Sequence, residues 1–142
     1  FAAIDVGSFE LELGIYEISN RNKMKRVDHV RHVIGLGRET YNTGLISYEM
    51  VDEICSVLSG FVRIMKSYKI SDYRAYATSA MREARNSQIV IDQIRVRTGI
   101  EVRIISNSEL RFLSYKAIAA KISSIVDGFK FFKKLRIPLD SN

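Results

Sequence analysis

Ala2-Ala3-Ile4-Asp5-Val6-Gly7-Ser8 is a short apolar run that closes on an acid, a glycine and a serine. Such a run predicts a buried strand opening onto a tight turn. Gly7 suits the turn because glycine takes a positive φ or lets another backbone approach closely, and the amides of Gly7, Ser8 and Phe9 would then point together at an anion. Asp5, at the carboxyl end of the strand, would orient a water or a divalent metal beside that anion. The same pattern also fits an ordinary turn with no ligand, so the rest of the chain has to decide.

Working outward, Phe9 to Ile18 alternates apolar with polar or small residues, the period of a half-buried strand, and Ser19-Asn20-Arg21-Asn22 reads as a turn. Lys25 to Ile34 is extended again, which makes the first third a three-stranded antiparallel meander. His29 and His32 fall in that third strand with no further His or Cys near them, so they read as edge-strand residues and not as metal ligands. Gly35 to Ser47 carries the turn chemistry of a long loop, and Ser47 is placed to cap the next helix. That helix, about Tyr48 to Tyr68, sets Val51, Ile54, Cys55, Leu58, Phe61, Val62 and Met65 on one stripe, which predicts core. Cys55, the single cysteine, belongs to the stripe and has no partner for a disulfide.

Ser71 to Thr78 predicts a fourth strand that runs directly into Ser79-Ala80-Met81-Arg82-Glu83-Ala84-Arg85-Asn86. At that strand-to-helix crossing Thr78 or Ser79 would cap the helix, and Thr78, Ser79 and the Arg82 guanidinium would together receive a phosphate, while Arg85 faces solvent. Ile89 to Arg97 is a further amphipathic run ending at Gly99, Ile100 to Ile105 alternates as a fifth strand, and Ser106 to Glu109 caps a helix through Leu113 and Ala120. Ile125 to Arg136 reads as a turn and a basic amphipathic helix closed by Pro138. The order predicts an α/β fold: a five-stranded mixed sheet, an antiparallel meander extended by two parallel strands through helical crossovers, with flanking helices.

Composition agrees with one globular domain. The 142 residues are 46% hydrophobic and 27% charged, enough for a real core. No apolar run approaches a membrane span and no basic leader precedes the first strand, so a cytoplasmic protein without a membrane partner is expected. The net charge of +6 suits polyanionic partners such as phosphate chains or nucleotides.

Three stretches resemble the N-terminal half of the exopolyphosphatase and guanosine pentaphosphate phosphatase family, members of the actin, sugar kinase and heat-shock ATPase superfamily. They are Ala3 to Ser8, Leu36-Gly37 to Thr43-Gly44-Leu45-Ile46-Ser47, and Tyr76-Ala77-Thr78-Ser79-Ala80-Met81-Arg82-Glu83-Ala84-Arg85-Asn86 followed by Thr98-Gly99-Ile100 and Ile104-Ile105-Ser106. The resemblance covers roughly the first 120 residues. It implies a ribonuclease H-like (actin-like ATPase) domain, one lobe of a two-domain clam shell that hydrolyses phosphoanhydrides in its cleft, usually with Mg2+. On this likeness Arg82 would neutralise phosphoryl oxygens, Gly7, Ser8, Phe9, Thr78 and Ser79 would bind phosphate, Asp5 would place metal or water, and Glu109 would orient or deprotonate the attacking water.

Two departures stand out. The family's Asp-x-Gly-Ser-Asn-Ser reads Asp5-Val6-Gly7-Ser8-Phe9-Glu10, and the second of its paired glutamates, the usual base, is Leu110 after Glu109. The family's second phosphate loop is missing. Val126-Asp127-Gly128 is either its remnant or, with Phe129 to Phe132 in place of glycines, the segment with which the chain returns from a second domain. The latter reading gives a core over residues 1–122, a return helix over 123–142 and an absent second domain, so the chain alone is expected to be inactive. The expected partner is an anionic phosphate substrate, polyphosphate or guanosine pentaphosphate, rather than nucleic acid; a homodimer is left open. Two other readings remain: a non-catalytic phosphate or alarmone sensor on the same lobe, motivated by Phe9 and Leu110, and a ribonuclease H-like nuclease. The nuclease lacks the carboxylate it needs near the end of the fourth strand, where Ala77 and Thr78 stand.

Overall fold

Strand β1 (Ala2–Val6) alternates as its sequence requires: Ala2, Ile4 and Val6 are buried, while Asp5 faces the other way and reaches solvent. It pairs on one edge with β2 (Glu10–Ile18), antiparallel, and on the other with β4 (Tyr73–Ala77), parallel. β3 (Met24–Val33) adds antiparallel to β2, and the short β5 (Arg103–Ile104) adds parallel to β4. The sheet order β3-β2-β1-β4-β5 is the mixed five-stranded arrangement expected from the sequence. The computed structural model describes residues 1–19, 23–112 and 115–116. The chain divides into two compact units, Phe1–Ser106, which holds the sheet, and Asn107–Asn142, of which residues 107–112 are helical. The proposed return helix over 123–142 lies outside the described residues.

Between β3 and β4 runs α2 (Tyr48–Ser67), whose predicted stripe is buried at Val51, Ile54, Cys55, Leu58, Phe61 and Met65, with Val62 partly so. Ser47 caps it by accepting from the Met50 amide at 3.1 Å. α4 (Ser87–Thr98) leads from β4 to β5 and adds Val90 and Ile94 to the same core, then stops at Gly99 in the left-handed conformation. Together α2, α4 and the strands' Ile4, Leu11, Leu13 and Ala77 form one hydrophobic cluster. Each of its larger aliphatic or aromatic side chains contributes about 1.5–3 kcal/mol relative to exposure. Among the described residues no helix is long and apolar enough to cross a membrane.

Three expectations need correction. The Gly35–Ser47 stretch is not all loop: Leu36–Thr43 forms a helix, α1, closed by Gly44 at φ 74°. The fifth strand is shorter than the alternation suggested, because only Arg103 and Ile104 pair with β4, continued by one bond from the Ile105 amide to the Ala77 carbonyl at 3.0 Å. And in the helix Ser79–Glu83 (α3) the N-cap residue Thr78 makes no side-chain capping bond.

α1 forms against its own propensities, since it has no side-chain cap and contains Gly37, Thr40 and Asn42. Tertiary contact holds it instead. Leu36 and Thr40 are buried, and the Gly37 amide donates to the Ser8 carbonyl at 2.8 Å. A Cβ on Gly37 would stand 2.9 Å from the Ser8 Cβ and 3.2 Å from the Ser8 carbonyl oxygen. In an ordinary helix interior glycine to alanine gains about 1 kcal/mol. Here Gly37→Ala should lose about 1–2 kcal/mol through overpacking, read by urea denaturation; an alanine variant more stable than the parent would show that Ser8 yields freely.

Candidate phosphate site at the ends of the first and fourth strands

The two central parallel strands end level, with Val6 opposite Ala77. The next two residues of each chain segment therefore emerge side by side, and Ser8 Oγ lies 3.0 Å from Ser79 Oγ. Tyr41, on α1, closes a triangle: its Oη is 2.8 Å from Ser79 Oγ and 3.2 Å from Ser8 Oγ. Sequence reasoning did not single out Tyr41, because its position depends on α1 being a helix. The available signal is its spacing of four from Gly37, which puts both on the helix face that meets Ser8.

The turn itself differs in one respect from the expected three-amide cradle. The Gly7 amide donates to the Glu10 carbonyl at 3.1 Å, closing the two-residue Ser8-Phe9 turn between β1 and β2. Gly7 is needed for close approach and not for a positive φ: a Cβ there would meet the Glu10 carbonyl oxygen at 2.8 Å. The amides of Ser8 and Phe9 donate to no acceptor among the described residues, and Phe9 is 73% exposed.

Asp5 stands two residues before Gly7, opposite Glu12 on β2 and Tyr76 on β4. Although its side chain reaches solvent, the surrounding protein desolvates the carboxylate and raises its pKa, with Glu12 and then Glu10 adding like-charge repulsion. Those two acids are themselves held from β3. Arg31 donates to Glu10 through Nη2 at 2.6 Å and Nε at 3.0 Å, which lowers the Glu10 pKa, and His29 Nε2 lies 2.8 Å from Glu12 Oε2. His29 and His32, on the edge strand β3, thus pair with Glu12 of β2 and Glu53 of α2.

The run from Thr78 to Asn86 is the hub of this end of the sheet. Ser79 meets the first turn, whereas Arg82 donates through Nη1 to the Ile105 carbonyl at 2.6 Å, at the exit of β5. Arg85, though exposed, is not a bare surface residue: its amide donates to the Gly44 carbonyl at 2.9 Å and its guanidinium covers Gly44. The Asn86 amide makes both bonds with the peptide of Ile46, at 2.9 and 3.0 Å. Glu109 belongs to the second unit, partly buried in the first turn of the 107–112 helix, and Leu110 beside it is 39% exposed.

A cleft of about 370 Å³ lined by Val62, Met65, Lys66, Ile70 and Tyr73 opens at the other end of β4. Its apolar walls lie at the amino ends of the parallel strands, away from the carboxyl ends where open α/β sheets collect ligands, so the hydroxyl cluster is the better candidate. As for a cation, the described residues hold no group of three carboxylate, His or Cys side chains at ligating distance. Asp5 alone fits a hard ion that takes one protein carboxylate and fills its remaining positions with water and phosphate.

Residues 15–129 match the model of the Ppx/GppA phosphatase family. The chain belongs to this family. It is 26% identical over 115 residues to exopolyphosphatase 1 of Mycobacterium bovis, an alignment covering 81% of this chain and 33% of that protein. The crystal structure of the Aquifex aeolicus Ppx/GppA family member superposes with a TM-score of 0.79 at 25% identity, over 83% of this chain and 38% of that one. An exopolyphosphatase from Cytophaga hutchinsonii gives 0.71 at 28% identity, over 75% and 34%. The matched stretch spans about a third of the length of the exopolyphosphatase relatives.

The raised Asp5 pKa has a defined sign. The folded chain binds the Asp5 proton more tightly than the unfolded chain, so this group's contribution to stability falls as pH rises from the ordinary aspartate value of 3.8 through the raised one. Asp5→Asn should therefore be more stable than the parent at pH 7, with the advantage vanishing below the unfolded value. Denaturation at a series of pH values reads this directly, and a variant less stable than the parent at pH 7 would contradict it.

Proposed function

We propose that the chain is one wall of the active site of a phosphatase that hydrolyses phosphoanhydride bonds of inorganic polyphosphate or of guanosine pentaphosphate. Family membership supports the phosphatase. The observation that carries the site is the approach of Ser8 and Ser79 at the level ends of two parallel strands, beside an acid whose charge is disfavoured until a cation or a donor arrives.

On this reading a phosphoryl group sits against Ser8 and Ser79, with the Ser8 and Phe9 amides and Thr78 around it. Arg82, anchored on the Ile105 carbonyl, neutralises its oxygens. Gly7 shapes the turn and leaves the donating to its neighbours. Asp5 is the residue that would hold Mg2+, which when bound would offset phosphate charge and polarise the bond to be cleaved. Glu109 takes the part of the base toward water, in place of the glutamate that the related pattern has at Leu110. The opposite wall would come from a second domain, in keeping with an alignment that covers 33% of the Mycobacterium bovis relative. A second reading, a phosphate or alarmone sensor, is favoured by the apolar side chains at Phe9 and Leu110, both reaching solvent where polar groups would serve chemistry.

With Mg2+ and polyphosphate, the 142-residue chain alone should release no phosphate above a denatured control, while the full-length gene product hydrolyses it and loses turnover as Glu109→Gln. Steady release by the chain alone would remove the need for a second wall. Full-length protein that binds tripolyphosphate without turnover, and gains turnover more than affinity as Leu110→Glu, would establish the sensor.

A further inference from the structure

Tyr41 is 54% exposed, so burial of its ring does not account for where it stands. Its hydroxyl does. With Ser8 and Ser79 it forms a triangle of oxygens with sides of 2.8, 3.0 and 3.2 Å, and three hydroxyls hold three protons, enough for each to donate once and accept once in a closed ring. α1 is brought to this position by contact, the missing Cβ of Gly37 making room for Ser8 on one side and the Tyr41 ring on the other. Phe9, the other side chain of the turn, offers no polar group.

We propose that Tyr41 is a third hydroxyl ligand, with Ser8 and Ser79, for a single phosphoryl group of a phosphate chain; this rests on the phosphatase reading above. The competing role is a cover that occupies the serines and must be displaced. Three features favour the ligand. Hydroxyl protons turn about their C–O bonds without moving heavy atoms, so the ring can re-aim all three at an incoming anion. The exchange replaces three neutral hydrogen bonds with three charge-assisted ones, each about twice as strong. And the exposed ring of Tyr41 costs little desolvation when an anion docks beside it.

The test is calorimetric titration of the 142-residue chain and its Tyr41→Phe variant with tripolyphosphate and Mg2+. Loss of one charge-assisted bond should weaken binding about tenfold. A second measurement needs no variant: in wild-type protein with labelled tyrosines, tripolyphosphate should shift the Tyr41 ring resonances. Wild-type binding with a Tyr41→Phe affinity that is equal or tighter, or with an unmoved Tyr41 resonance, would overturn the Tyr41 assignment and leave the phosphate reading standing. No binding by the wild-type chain would overturn both.

Discussion

Everything at the candidate site follows from β1 being paired along both edges. Its backbone donors and acceptors are shared between β2 and β4, which fixes two registers at once: Asp5 opposite Glu12 and Tyr76, and Val6 opposite Leu11 and Ala77. A slip of one residue in either pairing would turn Ile4 and Val6 out of the core, so burial locks both registers. Because the parallel pair ends level, the residues that follow leave the sheet together, and Ser8 meets Ser79 across 71 positions of sequence. The Ser8 carbonyl then receives the Gly37 amide and seats α1 on the turn.

The same registers distribute charge. The protein carries +6 overall, yet the sheet face that bears Asp5 also carries Glu10 and Glu12, answered from the outer strand by Arg31 and His29. Exposed pairs of this kind add little stability. Their effect is local, in keeping the acids of β2 occupied while Asp5, desolvated and repelled by them, is left poised to gain from a positive partner. If the turn holds phosphate as proposed, such an acid beside it would suit a cation shared between protein and substrate.

Much of this could be read in the chain. Alternation in Ala2–Val6 and Glu10–Ile18, the stripe of α2 and the glycine after Thr98 all express local rules that the packing obeys. What could not be read depends on contacts distant in sequence. α1 has a helix-poor composition and even buries the Thr40 hydroxyl without a partner among the described residues; it is held by core burial of Leu36 and by contacts distant in sequence, with Ser8 and with the Thr78–Asn86 run. Tyr41 was invisible for the same reason. The Gly7 amide looked available because a strand-to-turn pattern does not reveal that the next strand folds back after two residues. The polar residues of Thr78–Asn86 look like a ligand motif, and several also serve structure: Arg82 at Ile105, Arg85 at Gly44 and Asn86 at Ile46.

On the proposed reading the Ser8-Phe9 turn and the start of α3 form one phosphate-binding surface on this chain. Backbone amide NMR during titration with tripolyphosphate addresses it most directly, since the Ser8 and Phe9 amides are the donors without acceptors among the described residues. The largest shifts should fall on Ser8, Phe9 and Ser79 and saturate together. Shifts concentrated instead on the basic outer strand, at Lys25 and Arg26, or around the Lys66 cleft, with the turn unmoved, would contradict it.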